Sequence, residues 1–183
     1  ISRARPKLVC HDSSMALRLR PPRLDDEAAC RAAHAELLTD GFGFLFGGED
    51  QPFAEHLEQL ERQRRGIDLG DRVDATWLVA DVDGDIVGRA SIRHRLNDAL
   101  AFHGGHIGYC VRPAFRRRGH ATEMLRQSLI IARSYGVDRA LITCDDTNVG
   151  SAGVIEACGG RLERVVPAEE ADNGIAFRRY WIS

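Results

Sequence analysis

The chain has 183 residues, of which 44% are hydrophobic and 28% are charged, and its formal net charge at pH 7 is -2. This length predicts one domain that can bury a substantial core, and the composition is typical of a globular protein. A net charge of -2 argues against nucleic-acid binding, which requires an excess of basic residues. No apolar run reaches the ~20 residues of a membrane span, so no membrane association is expected.

Residues 1–14 (ISRARPKLVCHDSS) are predicted to be a vector-derived or disordered leader, with Met15 as the candidate start of a single domain over 15–183. The five cysteines include no Cys-x-x-Cys pair, a pattern typical of reduced thiols and of a cytoplasmic protein rather than of a disulfide framework. His94, His103 and His106 show no metal-ligand spacing, so no metal is expected.

The first third of the domain predicts a strand followed by two helices. Apolar and basic residues alternate over 16–21, which indicates a short strand. Acidic residues, which favour a helix N-terminus, open a segment predicted to be helical over 25–38. A second helix is predicted over 52–65.

The loop between these helices, residues 40–50 (DGFGFLFGGED), is rich in glycine and phenylalanine. Its rings either pack the loop onto the core or form part of an acceptor pocket, for which Phe42 and Phe44 are the candidates. A hairpin follows over 76–96, because two β-rich runs flank the Asp83-Gly84 pair that tight turns favour. His94 and Asn97, at the end of this hairpin, are further candidates to line the acceptor site.

The second half alternates strands and helices. A strand over 104–111 is stopped by Pro113, and a long amphipathic helix over 119–135 is ended by Gly136. A strand over 139–145 and a helix over 149–157 come next, and two alternating strands over 160–166 and 175–182 close the chain. The order β-α-α-β-β-β-α-β-α-β-β predicts an α/β (α+β) fold with a mixed sheet flanked by helices.

The entry to the long helix lacks a residue that could cap it. The segment Arg117-Arg118-Gly119-His120 offers no side-chain acceptor for the first backbone N–H groups, which have no partner inside a helix. Unpaired donors, arginines and a glycine that permits close approach together describe an anion site, for which a diphosphate is the natural occupant. The alternative is a solvated turn whose N–H groups bind water.

Two motifs give this site a wider context. The segment RRRGHA satisfies an R/Q-x-x-G-x-G/A pattern, and NVGSAGVIEACGG satisfies an N-x-x-S…E-x-x-G pattern; the matching residues are Arg116, Gly119, Ala121, Asn148, Ser151, Glu156 and Gly159. Together with the preceding strand and the long helix, these motifs resemble the GNAT superfamily of N-acetyltransferases over roughly residues 17–182. The strings RHRLNDAL and GGHIGYCVRP resemble a bacterial subgroup of predicted acetyltransferases.

The resemblance implies acetyl-CoA as co-substrate, bound in a cleft where neighbouring parallel strands over 107–111 and 140–144 splay apart within a mostly antiparallel sheet. It implies that the helix entry holds the diphosphate, and that the preceding strand and the next helix hold the pantetheine arm. The implied cofactor-binding residues are Cys110, Val111, Arg116, Arg117, Arg118, Gly119, His120, Ala121, Thr122, Asn148 and Ser151. For Asn148 and Ser151 the alternative is a structural role as the cap and first turn of a helix.

The implied reaction is direct attack of an amine on the thioester, so the acceptor is expected to be a primary amine of a small molecule or a peptide. Many members protonate the departing thiolate with a tyrosine, and the matching residue here is Ile155, which cannot donate a proton. Tyr109 is the candidate substitute, with Ser151 orienting the thioester; the alternative for Tyr109 is a core position. His106 is the candidate base, although strand alternation places it on the opposite face from Tyr109.

Other functions stay open at this stage. Ile155 also permits a catalytically weak acyl-CoA-binding sensor or regulatory module, and the arginine-rich turn alone fits a nucleotide- or phosphate-binding protein. The last strand, AFRRYWI, can pair within one chain or across a dimer, so either a monomer or a homodimer is expected.

Overall fold

The computed structural model describes residues 16–183, so the predicted leader and Met15 lie outside the described residues. Five α-helices occur within this range: α1 (Glu27–Leu38), α2 (Phe53–Arg64), α3 (Asp98–Phe102), α4 (His120–Ser134) and α5 (Val149–Ala157). The strands within it are β1 (Arg18–Arg20), β2 (Ala75–Val82), β3 (Asp85–Arg93), β4 (Ile107–Val111), β5 (Ala140–Asp145), β6 (Arg161–Val166) and β7 (Phe177–Ile182).

The strands form two antiparallel sheets. The first has the order β1-β2-β3-β4 and the second the order β5-β7-β6. Hairpin β2–β3 turns at Asp83 and Gly84, which both have positive φ, and the side chain of Asp81 accepts a hydrogen bond from the Gly84 N–H at 2.8 Å. This local chemistry explains why the Asp-Gly pair marks the turn in the sequence.

One short seam joins the two sheets. Gly105 forms an isolated bridge with Ile142, and the N–H of His106 donates to the carbonyl of Leu141 at 2.7 Å. Beyond this seam β4 and β5 are not paired with each other, and their carboxyl-terminal ends border a cleft. The antiparallel sheet flanked by helices and the two splayed strands that the resemblance implies are therefore present, and the predicted α+β class is confirmed. Within residues 16–183 every strand pair is antiparallel, and so is the Gly105–Ile142 bridge, so the parallel pairing expected between β4 and β5 is not observed.

Helices cover both faces of the first sheet. Helix α4 buries its apolar stripe, including Leu125, against Ile92 and Ile107. On the other face, Trp77 of β2 and Phe44 of the glycine-rich loop pack with α1 and α2. Because helices pack against each face of β2 and β3, both faces of these strands are buried. The sheet is therefore a rigid support for the cleft.

Helix α3 is an element that the sequence pattern did not predict. It has five residues, and the side chain of Asn97 caps it by accepting the Leu100 N–H at 3.0 Å. A helix of little more than one turn shows no periodicity, so only its cap could have indicated it. Strand β4 also starts three residues later than predicted, because Gly104 and Gly105 have φ of 104° and 61°.

We expect Gly105→Ala to destabilise the fold, because a Cβ at this positive φ would lie 2.3 Å from the carbonyl oxygen of Leu141. The expected loss in free energy of unfolding, measured by urea denaturation, is on the order of 2 kcal/mol. The matched control is Gly153→Ala on α5, where a Cβ meets nothing within 4 Å and alanine favours the helix. Equal stability of the two variants would contradict the role assigned to the seam.

Candidate active site

A cleft of about 720 Å³ opens where β4 and β5 separate. It is bordered by β4, the entry and first turn of α4, the end of β5, α5, and the end of α1 with the loop that follows. The lining residues are Leu37, Asp40, Phe42, Tyr109, Cys110, Val111, Phe115, Arg116, Arg117, Gly119, His120, Ala121, Thr122, Asp145, Asn148, Gly150, Ser151 and Val154. Most of the residues predicted to bind a cofactor are therefore brought together here.

The entry to α4 presents a run of backbone donors to the cleft. Gly119 precedes the helix with φ of 81°, Arg117 has φ of 64°, and no side chain caps the helix. The first hydrogen bond into the helix is donated by the Glu123 N–H to the Gly119 carbonyl at 3.2 Å. Within residues 16–183, the N–H groups of residues 117–122 have no acceptor. Together with the helix dipole, these donors make the cleft end attractive to an anion.

The charged and titratable side chains around this turn differ in their partners. Arg116 donates to the carbonyl of Val111 at 3.1 Å and to the carboxylate of Asp40 at 2.6 Å, so that it ties the turn to β4. The Arg118 guanidinium lies 5.6 Å from the ring centre of Phe115, and Arg118 itself is not part of the cleft lining. Burial and the nearby Arg118 lower the pKa of His120, which is therefore mostly neutral at pH 7.

Strand β4 turns unpaired backbone groups toward the cleft. The N–H of Arg112 donates to the carbonyl of Val87 at 2.9 Å, which fixes the alternation of hydrogen-bonded residues along the β3–β4 pair. The backbone of Cys110 therefore pairs with β3, while the backbone groups of Tyr109 and Val111 point away from it. The predicted backbone contact fits Val111 and Tyr109 but not Cys110, although Cys110 also lines the cleft.

Tyr109 and Ser151 meet across the cleft. The tyrosine hydroxyl lies 2.9 Å from the Ser151 hydroxyl and 3.5 Å from its carbonyl oxygen. Burial raises the pKa of Tyr109 to about 12, although the hydrogen bond to Ser151 opposes this rise. The phenol therefore stays protonated at neutral pH and can donate a hydrogen bond or a proton.

The other α5 candidates fill the structural roles considered for them and also face the cleft. Asn148 caps α5 by accepting the N–H of Ser151 at 3.0 Å, and both residues line the cleft. Ile155, at the family's tyrosine position, is fully buried in the core. The acid that this position supplies in many relatives is therefore absent here.

His106, the predicted base, does not line the cleft. Its Nδ1 accepts the N–H of Leu141 at 2.9 Å, so the ring completes the seam between the two sheets. Burial lowers the pKa of His106, in keeping with a neutral ring that accepts this hydrogen bond. The alternation of β4 side chains explains the placement, since His106 and Tyr109 are separated by an odd number of positions.

Of the residues predicted to line the acceptor pocket, some lie in the cleft and others do not. Phe42 lines the cleft, whereas Phe44 is fully buried against Trp77. The His94 ring stacks on Tyr135 at 3.6 Å and binds Thr76 and Asp74, and Asn97 caps α3. Phe44, His94 and Asn97 are therefore corrected to structural positions, because each is held by packing or hydrogen bonds away from the cleft.

Several residues of the cleft lining were not predicted from the sequence. Asp40 and Asp145 place two carboxylates on the lining, and Leu37 and Val154 supply apolar walls. Asp40 follows a predicted helix and Asp145 ends a predicted strand, so their positions at element ends were the available signal. No group of three or more metal-ligating side chains occurs within residues 16–183, and no helix in that range is long and apolar enough to cross a membrane.

Comparison with known proteins identifies the class. The family model described as an acetyltransferase (GNAT) domain matches residues 16–161. The chain therefore belongs to the GNAT acetyltransferase family and is an acyltransferase. The family predicted from the two motifs is confirmed. Among curated protein sequences, none matches the chain.

Solved structures share the fold at low sequence identity. Mycobacterium smegmatis RimJ, in complex with CoA-disulfide, is 22% identical, with a TM-score of 0.68 over 91% of this chain and 81% of that one. Salmonella typhimurium YncA, with its cofactor acetyl-CoA, is 18% identical, with a TM-score of 0.63 over 92% and 94%. A ribosomal-protein-alanine N-acetyltransferase from Brucella melitensis is 16% identical, with a TM-score of 0.65 over 90% and 98%.

Proposed function

We propose that this protein is an acetyl-CoA-dependent N-acetyltransferase that acetylates a primary amine of a small molecule or peptide. The observation that carries the proposal is the run of N–H groups over residues 117–122, which have no acceptor within residues 16–183 and belong to a helix entry that borders the same cleft as Tyr109 and Ser151. Acetyl-CoA, when bound, supplies the activated acetyl group as a thioester. Its complexes with a protein of the same fold support the choice of donor.

The α4 entry is suited to hold the diphosphate. A phosphate oxygen accepts several N–H hydrogen bonds at once, and charge-assisted bonds of this kind are about twice as strong as neutral ones. Gly119 leaves the approach to these N–H groups open. A Cβ there would meet nothing within 4 Å, so a larger side chain would project from the turn into open space. Arg117 adds a guanidinium to the cleft lining.

Strand β4 is suited to hold the pantetheine arm and the reacting carbonyl. The N–H and C=O groups of Val111, which point away from β3, can bind the amides of the arm as a neighbouring strand would. The Tyr109 N–H, two residues earlier, points the same way and can stabilise negative charge that develops on the thioester oxygen. Arg116 donates a hydrogen bond to the Val111 carbonyl in this structure, so binding of the pantetheine arm to this carbonyl requires Arg116 to change its partner.

Tyr109 is suited to protonate the departing thiolate. Its hydroxyl is held by Ser151, and its pKa of about 12 keeps the proton on the phenol throughout the neutral and mildly alkaline range. An acceptor ammonium has a reference pKa of ~10.4 and must lose a proton before it attacks. Alkaline pH therefore increases the reactive amine without ionising the acid.

The amine assignment is tested by measuring CoA release and product mass with a panel of amino acids, polyamines and peptides. Peptides with N-terminal alanine belong in the panel because of the ribosomal-protein enzyme of the same fold. Turnover of at least one amine is expected. Tight acetyl-CoA binding without any turnover would instead support the sensor, and ATP competing equally with CoA would support a nucleotide-binding protein.

Gly119→Glu is expected to abolish acetyl-CoA binding, because its carboxylate would project into the diphosphate site and repel it. The matched control is Gly174→Glu, which adds the same charge at a similar positive φ (69°, against 81° at Gly119), again with nothing within 4 Å of the Cβ. Isothermal titration calorimetry should show a loss of affinity of at least about 100-fold for Gly119→Glu. Unchanged affinity in that variant would remove the proposed diphosphate site.

Tyr109→Phe is expected to lower kcat by about 100-fold while leaving acetyl-CoA affinity nearly unchanged, since the hydroxyl acts on the leaving thiolate. The wild-type rate should rise with pH up to the pKa of the acceptor amine, without a falling limb below pH 10, because Tyr109 stays protonated there. Tyr135→Phe, outside the cleft lining, is the control. An unaltered rate in Tyr109→Phe would return the residue to a packing role.

A further inference from the structure

Arg89 on β3 is a fully buried arginine whose hydrogen bonds are incomplete. Its side chain is 1% exposed, and its Nη2 donates to the carbonyl of Gly43 at 2.9 Å. Its Nε and Nη1 have no hydrogen-bond partner within residues 16–183. A buried polar donor without a partner costs free energy, and the cost is larger when the group is charged.

No carboxylate balances the charge of Arg89. Within residues 16–183, no acidic side chain lies within ion-pair distance of its guanidinium or contributes to its pKa, which burial lowers to about 10. The group is therefore still charged at neutral pH. Arg93 lies on the same face of β3 four residues further along; it is bound to the carbonyls of Gly104 and Gly105 and likewise has no acidic neighbour. In the described part of the chain, this face thus holds one fully buried and one half-buried positive charge and no negative one.

Three aromatic rings cover the Arg89 guanidinium. Its central carbon lies 4.7 Å from the ring centre of Phe42, 4.0 Å from that of Phe46 and 6.0 Å from that of Phe44. The Phe46 side chain is 57% exposed, so the cover is a single layer of rings on the solvent side. Phe44 is fully buried and holds the loop in place, whereas Phe42 lines the cleft and Phe46 is exposed, so these two rings can turn away from the guanidinium without moving the backbone.

This covered guanidinium adjoins the cleft. Phe42 lines the cleft and contacts Arg89, so that its ring separates the two. Cys110, which pairs with Arg89 across β3 and β4 and shares its face, also lines the cleft. The neighbouring pair on this face is Ser91 and Gly108, and a Cβ at Gly108 would meet only the Arg93 guanidinium, at 3.9 Å.

We propose that Arg89 is the specificity-determining residue of the acceptor pocket, and that the acceptor is an amine that also carries a carboxylate. The carboxylate would bind the unpaired Nε and Nη1 donors after the Phe42 and Phe46 rings turn aside, while the amine faces the reacting carbonyl. A planar carboxylate matches the guanidinium in shape and charge. This inference rests on the proposed amine acetylation.

The test compares amines that differ only in the anionic group. α-Amino acids and ω-amino acids are assayed against their own carboxamides with the full chain and saturating acetyl-CoA. The wild type should favour the carboxylate member by about 10- to 100-fold in kcat/KM, the range expected for a charged hydrogen bond. Arg89→Met should remove this preference by lowering only the carboxylate rates, and Arg89→Lys should retain part of it.

Matched controls separate this role from a structural one. Arg164→Gln, on the exposed edge strand β6, removes an arginine outside the cleft and should change neither rate. Acetyl-CoA affinity should be unchanged in Arg89→Met, and its Tm should not fall, because replacing an uncompensated buried charge by an apolar side chain is often stabilising. A fall in Tm with the carboxylate preference retained would overturn the proposal in favour of a purely structural arginine.

Two further outcomes are distinguishable. If the wild type acetylates both members of each pair equally, amine acetylation stands and the role of Arg89 is refuted, whether or not Arg89→Met folds. If no amine is acetylated, calorimetric titration of the same amino acids and carboxamides into the CoA-saturated chain decides the question. Binding of the carboxylates alone would support the Arg89 pocket, although the proposed transfer reaction would have failed. Equal binding of carboxylates and carboxamides, or no binding, would refute the pocket as well.

Discussion

The cleft exists because β4 and β5 are joined at one seam and nowhere else within the described residues. Had the two strands paired along their length, the backbone groups of Tyr109 and Val111 would have been satisfied inside the sheet. Left-handed glycines at 104 and 105 and the His106 ring instead confine the contact to the base of the strands. An inner strand edge with unpaired donors and acceptors then faces the cleft, and such an edge favours an extended, amide-bearing ligand. The cleft is thus a consequence of incomplete sheet formation.

The α4 entry and Arg89 differ from several other positive groups, including Arg116 of the cleft lining, in having no carboxylate to balance them within residues 16–183. Arg20 and Arg112, away from the cleft lining, bind carboxylates of Asp26 and Glu36. The N–H groups at the α4 entry and the Arg89 guanidinium have no such partner in the part of the chain that the structure describes. The N–H groups are exposed to water, so leaving them without a ligand costs little free energy. The Arg89 guanidinium is buried, so leaving it unpaired costs more. A protein loses stability by burying an uncompensated charge, which makes Arg89 more informative about function than the solvated turn.

The parts of the fold that could be predicted are those governed by local chemistry. The bounds of α5 follow from the Asn148 cap and the glycines at its end, and the β2–β3 turn follows from Asp83-Gly84. Placements that depend on tertiary contacts could not be predicted: Phe42 and Phe44 are two residues apart in one loop, yet one lines the cleft and the other is core. Arg89 gave no signal at all, because an arginine in a strand normally marks a solvent face, and only the helices packed on both sides of β3 reveal that it is buried.

The Tyr109–Ser151 pair shows how the family chemistry can persist without the tyrosine of α5. Ser151 lies one helical turn before Ile155 on the same helix, and its hydroxyl reaches across the cleft to Tyr109 of β4. The helix therefore still positions a phenol, although the phenol now comes from the strand. Burial disfavours the ionised phenol, so Tyr109 is suited to donate a proton rather than to remove one. Isoleucine at position 155 thus does not by itself remove a proton donor from the cleft, because Tyr109 on the opposite wall is placed to supply one.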